Sequence, residues 1–585
     1  MRSILYRSST RLLLPALVVG ATAATALSKS SPASEKPPVA IAADASKHQL
    51  VVIGSGWGAV SFLRNMKTDA STQVTVVSPR GVFLYTPLLP AATTGTVEAR
   101  SIVEPVRRLL PKHARFVEAA ATAIDPAART VTCESALAPG QPFTLPYDTL
   151  VVAVGSVANT FGVPGVAEHC RFLKSYDDVT GLRRTIHERW EQASLPTTTP
   201  AERARLLTFV ICGGGPTGAE LAAELQDLFT TELATSYPEI AAHARVVVVE
   251  ASDHVLSVFD RRIAAHATAA FSTHGIDTRL HTRVVGVTAD GVDMLDLTTN
   301  TKTSLPAATV VWATGVGLHP LARALAQALP ATQTNCRALV VDDWLRVKGA
   351  EERIYALGDA ASIEQKRAVD HAAMLFDTFD HAKSGFLELD DVRALLADAC
   401  KTFPQFREHL RHLDASHTSA LAASVQSLSL LVLPFMAKVV RRNSTSAAAV
   451  QEAFDAADKD GDHRLSKQEF VDFVKAMDSH LRAMPATAQV AQQQGCYLAR
   501  MYNAGHFADK DKAGVVEPFH WKDMGSLAFI GADEAVASIP GIGVLQGIAT
   551  GMLWRGFETS KQQSVRSRFA VATDQIRSRI FGRGV

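Results

Sequence analysis

Leu50-Val51-Val52-Ile53-Gly54-Ser55-Gly56-Trp57-Gly58-Ala59 is an apolar run that enters a glycine turn and leaves it as a helix. Four consecutive apolar residues suit a parallel strand buried on both faces. Glycine serves where the chain turns tightly and where the backbone must approach a pyrophosphate. The helix behind it offers free N–H groups and the positive end of its dipole. The same pattern also describes a tight strand–helix turn with no ligand. Its strand–turn–helix setting is what makes Gly54, Ser55, Gly56, Trp57 and Gly58 candidates for nucleotide binding. The next strand, Val74-Thr75-Val76-Val77, runs into Ser78-Pro79-Arg80. A site for NAD carries an acid at that strand tip. Its absence assigns the loop to FAD, with Ser78 and Arg80 as candidate contacts; Arg80 also reads as a solvated turn charge.

Leu207-Thr208-Phe209-Val210-Ile211 leads into a second loop, Gly213-Gly214-Gly215-Pro216-Thr217-Gly218-Ala219-Glu220. Here the following strand, Val246-Val247-Val248-Val249, does end in an acid, Glu250. A carboxylate there accepts from the ribose hydroxyls of NADH and repels the 2′-phosphate of NADPH. Gly213, Gly215, Gly218 and Glu250 are therefore read as an NADH site, against the alternative of Glu250 as a surface strand-end charge. The long interval before Glu250 predicts an extended helix or loop at 231–243. Residues 191–205, with Pro196 and Pro200, read as the connection between the two units. Two loops in tandem predict an α/β chain with two Rossmann-like dinucleotide-binding domains that passes electrons from NADH to a flavin.

The chain has 585 residues, 47% of them hydrophobic, and a net charge of +1. That is room for several domains, and nothing global points to nucleic acid. Six cysteines, at 133, 170, 212, 336, 400 and 496, form no C-x-x-C pair. Reduced thiols are expected, with no zinc site and no disulfide framework. Through Ser34 the chain carries Arg2, Arg7, Arg11 and Lys29 and no acid, the composition of a mitochondrial transit peptide. The apolar stretch 12–27 is short for a membrane span and contains Pro15. A secretory signal and a short inner-membrane anchor are the alternatives, and 29–46 reads as a linker.

Between 364 and 484 helical periodicity dominates and two acidic loops appear. In the second, Asp458, Asp460, Asp462, Ser466 and Glu469 place oxygens, with the Arg464 carbonyl, at the ligand positions of a twelve-residue EF-hand. Phe454, Phe470 and Phe473 suit its flanking helices. His463 stands where glycine usually takes a left-handed turn, a conformation His tolerates better than most residues. The first loop offers Asp380, Ser384, the Phe386 carbonyl, Glu388 and Asp391. Ala382 brings no oxygen and Asp391 is shorter than Glu. That loop suits weak calcium or magnesium, or a structural hand that binds nothing. Whether the two loops pack together is left open.

From Trp554 the tail is basic: Arg555, Lys561, Arg566, Arg568, Arg577, Arg579 and Arg583 against Glu558 and Asp574. Val565, Phe569, Ala572, Ile576 and Ile580 make an apolar stripe at helical spacing. An interfacial membrane helix fits, with a core-packing or dimer helix as the alternative.

Further motifs complete the pattern. Thr86-Pro87-Leu88-Leu89-Pro90 and Glu98-Ala99-Arg100-Ser101-Ile102 follow the first unit. Tyr147 to Gly155 and Val310 to Gly315 each run a strand into a small-residue turn. Ile354-Tyr355-Ala356-Leu357-Gly358-Asp359-Ala360 precedes the insert, and Pro485 to Gly495, with Gln489, Gln492, Gln493 and Gln494, follows it. In this order the chain resembles the type II NADH dehydrogenases, single-chain NADH:quinone oxidoreductases of the two-dinucleotide-binding flavoprotein superfamily. It resembles in particular their mitochondrial branch that carries EF-hands. The resemblance covers about 48–363 and 484–585, and the insert fits the same branch.

The resemblance implies that Thr86 and its neighbours lie along the flavin and that Ala153 and Gly155 pack near FAD. Thr314 and Gly315 repeat that turn on the NADH side. Asp359, after Gly358, would hydrogen-bond the ribityl chain. Gln489 and Gln492, three apart on one helix face, would face quinone carbonyls; otherwise they belong to a solvated glutamine-rich face. Glu220 matches a family glutamate near nicotinamide and flavin. Proton handling is one role for it, and stabilising the helix dipole is the other. The implied activity is hydride transfer from NADH to FAD, then two electrons to ubiquinone, rotenone-insensitive and without proton pumping. It would be calcium-modulated and peripheral on the mitochondrial inner membrane, on the intermembrane-space face rather than the matrix face, with a homodimer as an open option. No cysteine lies between 59 and 132, so the dithiol of a disulfide reductase is missing. The competing readings are a soluble NADH–flavin reductase that uses oxygen or a protein acceptor, and a calcium-responsive flavoprotein scaffold.

The expected division is 1–47 transit peptide, anchor or linker; 48–205 and 326–363 FAD domain; 206–325 NADH domain. Then follow 364–484 EF-hand insertion, an all-α unit; 485–531 quinone-site helix and end of the FAD domain; and 532–585 membrane-associated segment, amphipathic and helical.

Overall fold

The computed structural model describes residues 38–583 other than 69, 258, 336, 352, 365–366, 404–405, 407–446, 479–483, 508–515 and 541. The transit-peptide and anchor readings fall on 1–37, outside the described residues.

Each glycine loop leaves the middle strand of a five-stranded parallel sheet. In the first, the order is Ile354–Ala356, Thr149–Val152, His48–Ile53, Thr72–Ser78, Arg115–Glu118. In the second it is Arg171–Phe172, Thr309–Trp312, Thr208–Cys212, Arg245–Val249, Asp277–Arg279. One neighbour of each middle strand completes its βαβ unit. The other ends in the small-residue turn. Beyond those turns Ser156–Ala158 and Val316–Leu318 pair antiparallel and tie the two halves together.

Helix α1 (Trp57–Asn65) follows the first loop and α2 (Pro216–Leu228) the second. A π-helical turn, Phe229–Leu233, and Ala234–Ser236 prolong α2. That accounts for the long interval before Glu250. The connection expected at 191–205 is shorter than that. Tyr176–Ser194 is one helix, opened by a capping box at Ser175, and Pro200–Leu206 is another, with Thr199 as its cap. The Thr and Pro cluster is helix punctuation rather than linker composition.

The insert has a core of its own, with Phe376, Leu387, Phe454, Leu465 and Phe470 at its centre. Phe386–Leu387 pairs antiparallel with Leu465–Ser466, so the two acidic loops do form one EF-hand pair. Helix α3 (Lys467–Asp478) ends on a carboxylate that accepts from the amides of Ala368 (3.0 Å) and Val369 (2.8 Å). The module thus closes on the chain that leads into it. Helix α4 (Ala488–Asn503), capped by Thr487, then lies against α1. A Cβ on Gly495 would stand 2.3 Å from the Gly58 carbonyl oxygen, so only glycine permits this approach.

The tail begins with a three-stranded sheet, Ser526–Gly531, Glu534–Ile539 and Gly543–Gly547, not foreseen in the sequence. The boundary expected between 531 and 532 falls inside its first hairpin. That hairpin turns at Ala532 and Asp533, both left-handed (φ +49° and +64°), without the Asn-Gly signal that usually announces such a turn. Asp227 compensates by accepting from the Ala532 amide at 3.0 Å. Helices α5 (Ile548–Ser560) and α6 (Val565–Phe581) follow. Among the described residues no helix is long and apolar enough to cross a membrane.

Candidate active site

The glycines of each loop divide by what surrounds them. Gly54 has φ +115°, and a Cβ there would lie 2.2 Å from the Ala153 carbonyl oxygen; one on Gly58 would lie 2.0 Å from Leu357. Gly56, between them, has nothing within 4 Å. The second loop repeats this. Gly213 has φ +105°, a Cβ on Gly218 would lie 2.0 Å from the Gly213 carbonyl oxygen, and Gly215 faces open space. The outer glycines are demanded by packing. The middle ones front the free N–H ends of α1 and α2. That donor set fits the pyrophosphates of FAD and NADH. A hollow lined by Asp125, Arg129, Tyr147 and Glu351 lies at the opposite end of the first sheet, away from this chemistry.

On the FAD side Ser55 and Ser78 join hydroxyls at 2.8 Å, which ties the loop to the neighbouring strand tip, while Arg80 is exposed. Trp57 Nε1 donates to Thr86 Oγ1 (3.0 Å), and its ring meets Phe83 and Tyr85 edge-on at 5.1 Å. Gly155 and Gly358 both take φ +68°. Asp359 Oδ2 accepts from Ser156 Oγ (2.7 Å), which accepts from Lys174 Nζ (2.8 Å). Burial pulls the Lys174 pKa down; Asp359 opposes this and Arg80 adds to it. Ser156 and Lys174 were missed in the sequence, because a cation for Asp359 from so far along the chain has no spacing signature.

On the NADH side Glu250 Oε2 accepts from the Gly214 amide (2.6 Å), and Oε1 accepts from the amide (2.9 Å) and hydroxyl (2.6 Å) of Ser252. The carboxylate is fixed beside the loop. Thr314 packs against Gly213, and a Cβ on Gly315 would strike the exposed ring of Phe161 at 2.4 Å.

Glu220 lies in the second turn of α2, 8% exposed, and Oε1 accepts from the Phe529 amide at 3.1 Å. Burial pushes its pKa well up, opposed by that amide and reinforced by Glu558 and Glu224. Glu224, one turn on, accepts from Thr94 (2.8 Å) and Thr96 (2.7 Å) and pairs with Arg583 at 3.4 Å. Glu220, Glu224, Pro87, Pro90, Phe529 and Trp554 line one narrow cleft.

On α4 the two glutamines do different work. Gln489 Oε1 accepts from Trp521 Nε1 (3.3 Å) and the Met524 amide (3.2 Å), and its Nε2 donates to the Gly525 carbonyl (3.3 Å). It holds the 521–525 loop. Gln494, not singled out in the sequence, is buried and accepts from the Gly358 amide at 2.7 Å. Gln492 has no side-chain partner among the described residues.

In the second EF-hand loop Asp458, Asp460 and Asp462 bring ligand oxygens within 4.8 Å of one another, a donor set that fits calcium. His463 takes the left-handed turn at φ +62°. Glu469 accepts from the Lys459 amide (2.9 Å) and from the amide (2.9 Å) and hydroxyl (2.7 Å) of Ser466. Arg464 reaches across to Glu388 at 3.8 Å. The three aspartates also accept from loop amides, and the first loop is likewise bonded to itself. Asp380 accepts from the Ser384 and Gly385 amides, the Phe386 carbonyl accepts from the Ser384 hydroxyl, and Asp391 caps with Glu388. It gathers no group of three carboxylates among the described residues.

Known proteins match this arrangement along nearly the whole chain. The family model for pyridine nucleotide-disulphide oxidoreductases covers 48–375, that for an EF-hand domain pair 369–475, and that for the NDH2 C-terminal domain 523–584. An external alternative NAD(P)H-ubiquinone oxidoreductase B1, mitochondrial, of Solanum tuberosum is 37% identical over 92% of this chain and 90% of its own length. The B2 protein of Arabidopsis thaliana is 36% identical over 92% and 89%. The external alternative NADH-ubiquinone oxidoreductase of Yarrowia lipolytica is 31% identical over 94% and 82%. Among solved structures, NDH2 from Plasmodium falciparum in complex with NADH superposes with a TM-score of 0.75 at 26% identity, covering 92% of this chain and 99% of that one. With the doubled glycine cradle, the EF-hand pair and the C-terminal sheet and helices all accounted for, the chain belongs to the type II NADH dehydrogenase family.

Proposed function

We propose that the protein is an NADH:ubiquinone oxidoreductase that works without proton pumping, at the surface of the mitochondrial inner membrane and under calcium modulation. The observation that carries this reading is the repeated cradle: two open middle glycines, Gly56 and Gly215, on two sheets joined through their small-residue turns. When bound, FAD takes hydride from NADH and passes two electrons to the quinone. The residues of the chain bind and orient. Gly54–Gly58, Ser156, Lys174 and Asp359 hold the flavin nucleotide, and Gly213–Gly218 with Glu250 hold NADH. Gln492 offers an amide to a quinone carbonyl, and Glu220 holds a proton for the reaction.

A membrane surface as partner is supported by the inverted dress of the last two helices. Met552, Leu553 and Phe557 on α5 and Val565, Phe569, Ile576 and Ile580 on α6 are exposed. The polar side of α6 turns inward. Ser567 donates to Glu104 (2.8 Å), Asp574 accepts from the Glu98 amide (3.0 Å), and Arg577 pairs with Glu98 (2.7 Å). Exposed apolar residues flanked by Arg566, Arg568 and Arg579 suit an anionic lipid surface. A second copy of the chain is the other occupant of such a face. The basic N-terminal segment and the EF-hand insert are what speak for the intermembrane-space side.

The deciding experiment is NADH oxidation by purified holoprotein with and without a short-chain ubiquinone, in the presence of rotenone. Quinone should accelerate turnover many-fold. Slow oxidation that is indifferent to quinone would instead support an oxygen- or protein-linked reductase.

A further inference from the structure

Glu558 is an acid in a place where an ionised carboxylate is costly. It is 6% exposed, and its Oε2 is buried without a hydrogen-bond partner. Burying an unpaired charge is strongly unfavourable, so a side chain with only a packing role there would be apolar or an amide. Trp554, Glu558 and Lys561 fall on one face of α5, at intervals of four and three, a line that runs from the wall of the Glu220 cleft towards the end of the helix. The Tyr85 hydroxyl faces the Glu558 carboxyl, and the Tyr85 ring meets Trp57 of the first glycine loop. The charged and titratable groups that act on Glu558 are Tyr85 from the segment beside that loop, Glu220 from α2 and Lys561 on its own helix; Arg568 of α6 bonds the Gln562 carbonyl one turn on.

We propose that Glu558, oriented by Tyr85, is a second proton-holding residue of the quinone reaction, working beside Glu220 and refilled from the Lys561 end of α5. The inference rests on the quinone reduction proposed above. Reduction to quinol needs two electrons, which originate in NADH, and two protons. In one of the two protonations the O–H bond of the Glu558 carboxyl breaks, an O–H bond forms on quinone oxygen, and the carboxylate takes a proton from solvent. Burial raises the Glu558 pKa to about 7, against the Tyr85 hydroxyl and Lys561, which lower it. The acid is therefore loaded below that pH and empties above it.

The test compares wild type, Glu558→Gln, Glu558→Asp and Tyr85→Phe as flavin-loaded holoproteins. Turnover is followed across pH with a short-chain quinone and with ferricyanide, which takes electrons without protons. The infrared carbonyl band of a neutral carboxylic acid is recorded on the resting protein. The expected result for Glu558→Gln is quinone turnover lowered by about tenfold or more, unchanged ferricyanide turnover, and loss of one neutral-carboxyl band. Tyr85→Phe should move the titration of that band, and the alkaline fall of quinone turnover, to higher pH. Glu558→Asp should retain both features, which guards against a glutamine variant that fails to hold flavin. A Glu558→Gln protein with full quinone turnover and an unchanged band, or a Tyr85→Phe protein with an unshifted titration, overturns the proposal. A wild type inert to quinone overturns the functional reading itself, and with it this inference.

Discussion

Gly54 and Gly56 are both glycine, for opposite reasons. At Gly54 the backbone is left-handed and a carbonyl blocks any Cβ. At Gly56 a methyl group would meet no protein atom and would enter the open space proposed for FAD. Gly54→Ala should therefore lower thermal stability together with flavin content. Gly56→Ala should lose flavin while the apoprotein melts close to the wild-type apoprotein; equal melting losses in the two variants would contradict the division. Glu250 carries a second consequence. Glu250→Gln keeps an acceptor for the Gly214 amide and removes the charge that repels a 2′-phosphate. It should narrow the preference of kcat/KM for NADH over NADPH by roughly tenfold, about 1.4 kcal/mol. An unchanged ratio would argue that Glu250 does not face the ribose. At this scale the glycines and Glu250 were legible because each follows its strand at a fixed offset. Lys174 and Gln494 were not. Their partners, Asp359 and Gly358, are close only after folding.

Elements add what single residues cannot. The EF-hand pair was readable loop by loop, and so was the inequality of the loops, because Ala382 brings no oxygen to the first. Both loops spend aspartates on their own backbone, and among the described residues the second brings three aspartates together. Titration calorimetry should find one calcium per chain, lost in Asp460→Ala and retained in Asp380→Ala. Two equal sites in the wild type would refute this. The tail stripe was legible from helical spacing, and its outward direction required the polar anchors at Glu98 and Glu104. Replacing Phe569, Ile576 and Ile580 by serine leaves those anchors intact. The variant should keep its melting temperature and lose flotation with anionic vesicles. Retained flotation, with a change from dimer to monomer, would give the face to a second copy. The preceding sheet escaped notice because its hairpin turns on Ala532-Asp533, where tertiary bonds from Asp227 replace turn chemistry.

At the scale of the molecule, one design is used twice and the remainder is built around the join. The parallel sheets were legible as apolar runs because burial on both faces removes alternation. Their union through Ser156–Ala158 and Val316–Leu318 was not, since those short strands carry no periodic signal. The EF-hand module sits between Asp359 and α4, and α3 grips the chain at Ala368 and Val369 just beyond the flavin motif. One helix therefore fastens the EF-hand module to the chain that follows Asp359. The central claim is that one cradle holds flavin and the other brings NADH to it, with a quinone as the outlet. Its most direct test is the anaerobic visible spectrum of the holoprotein. NADH should bleach the flavin absorbance, and a stoichiometric addition of ubiquinone should restore it within the turnover time. Flavin that NADH does not bleach, or bleached flavin that oxygen restores and quinone does not, would contradict the account.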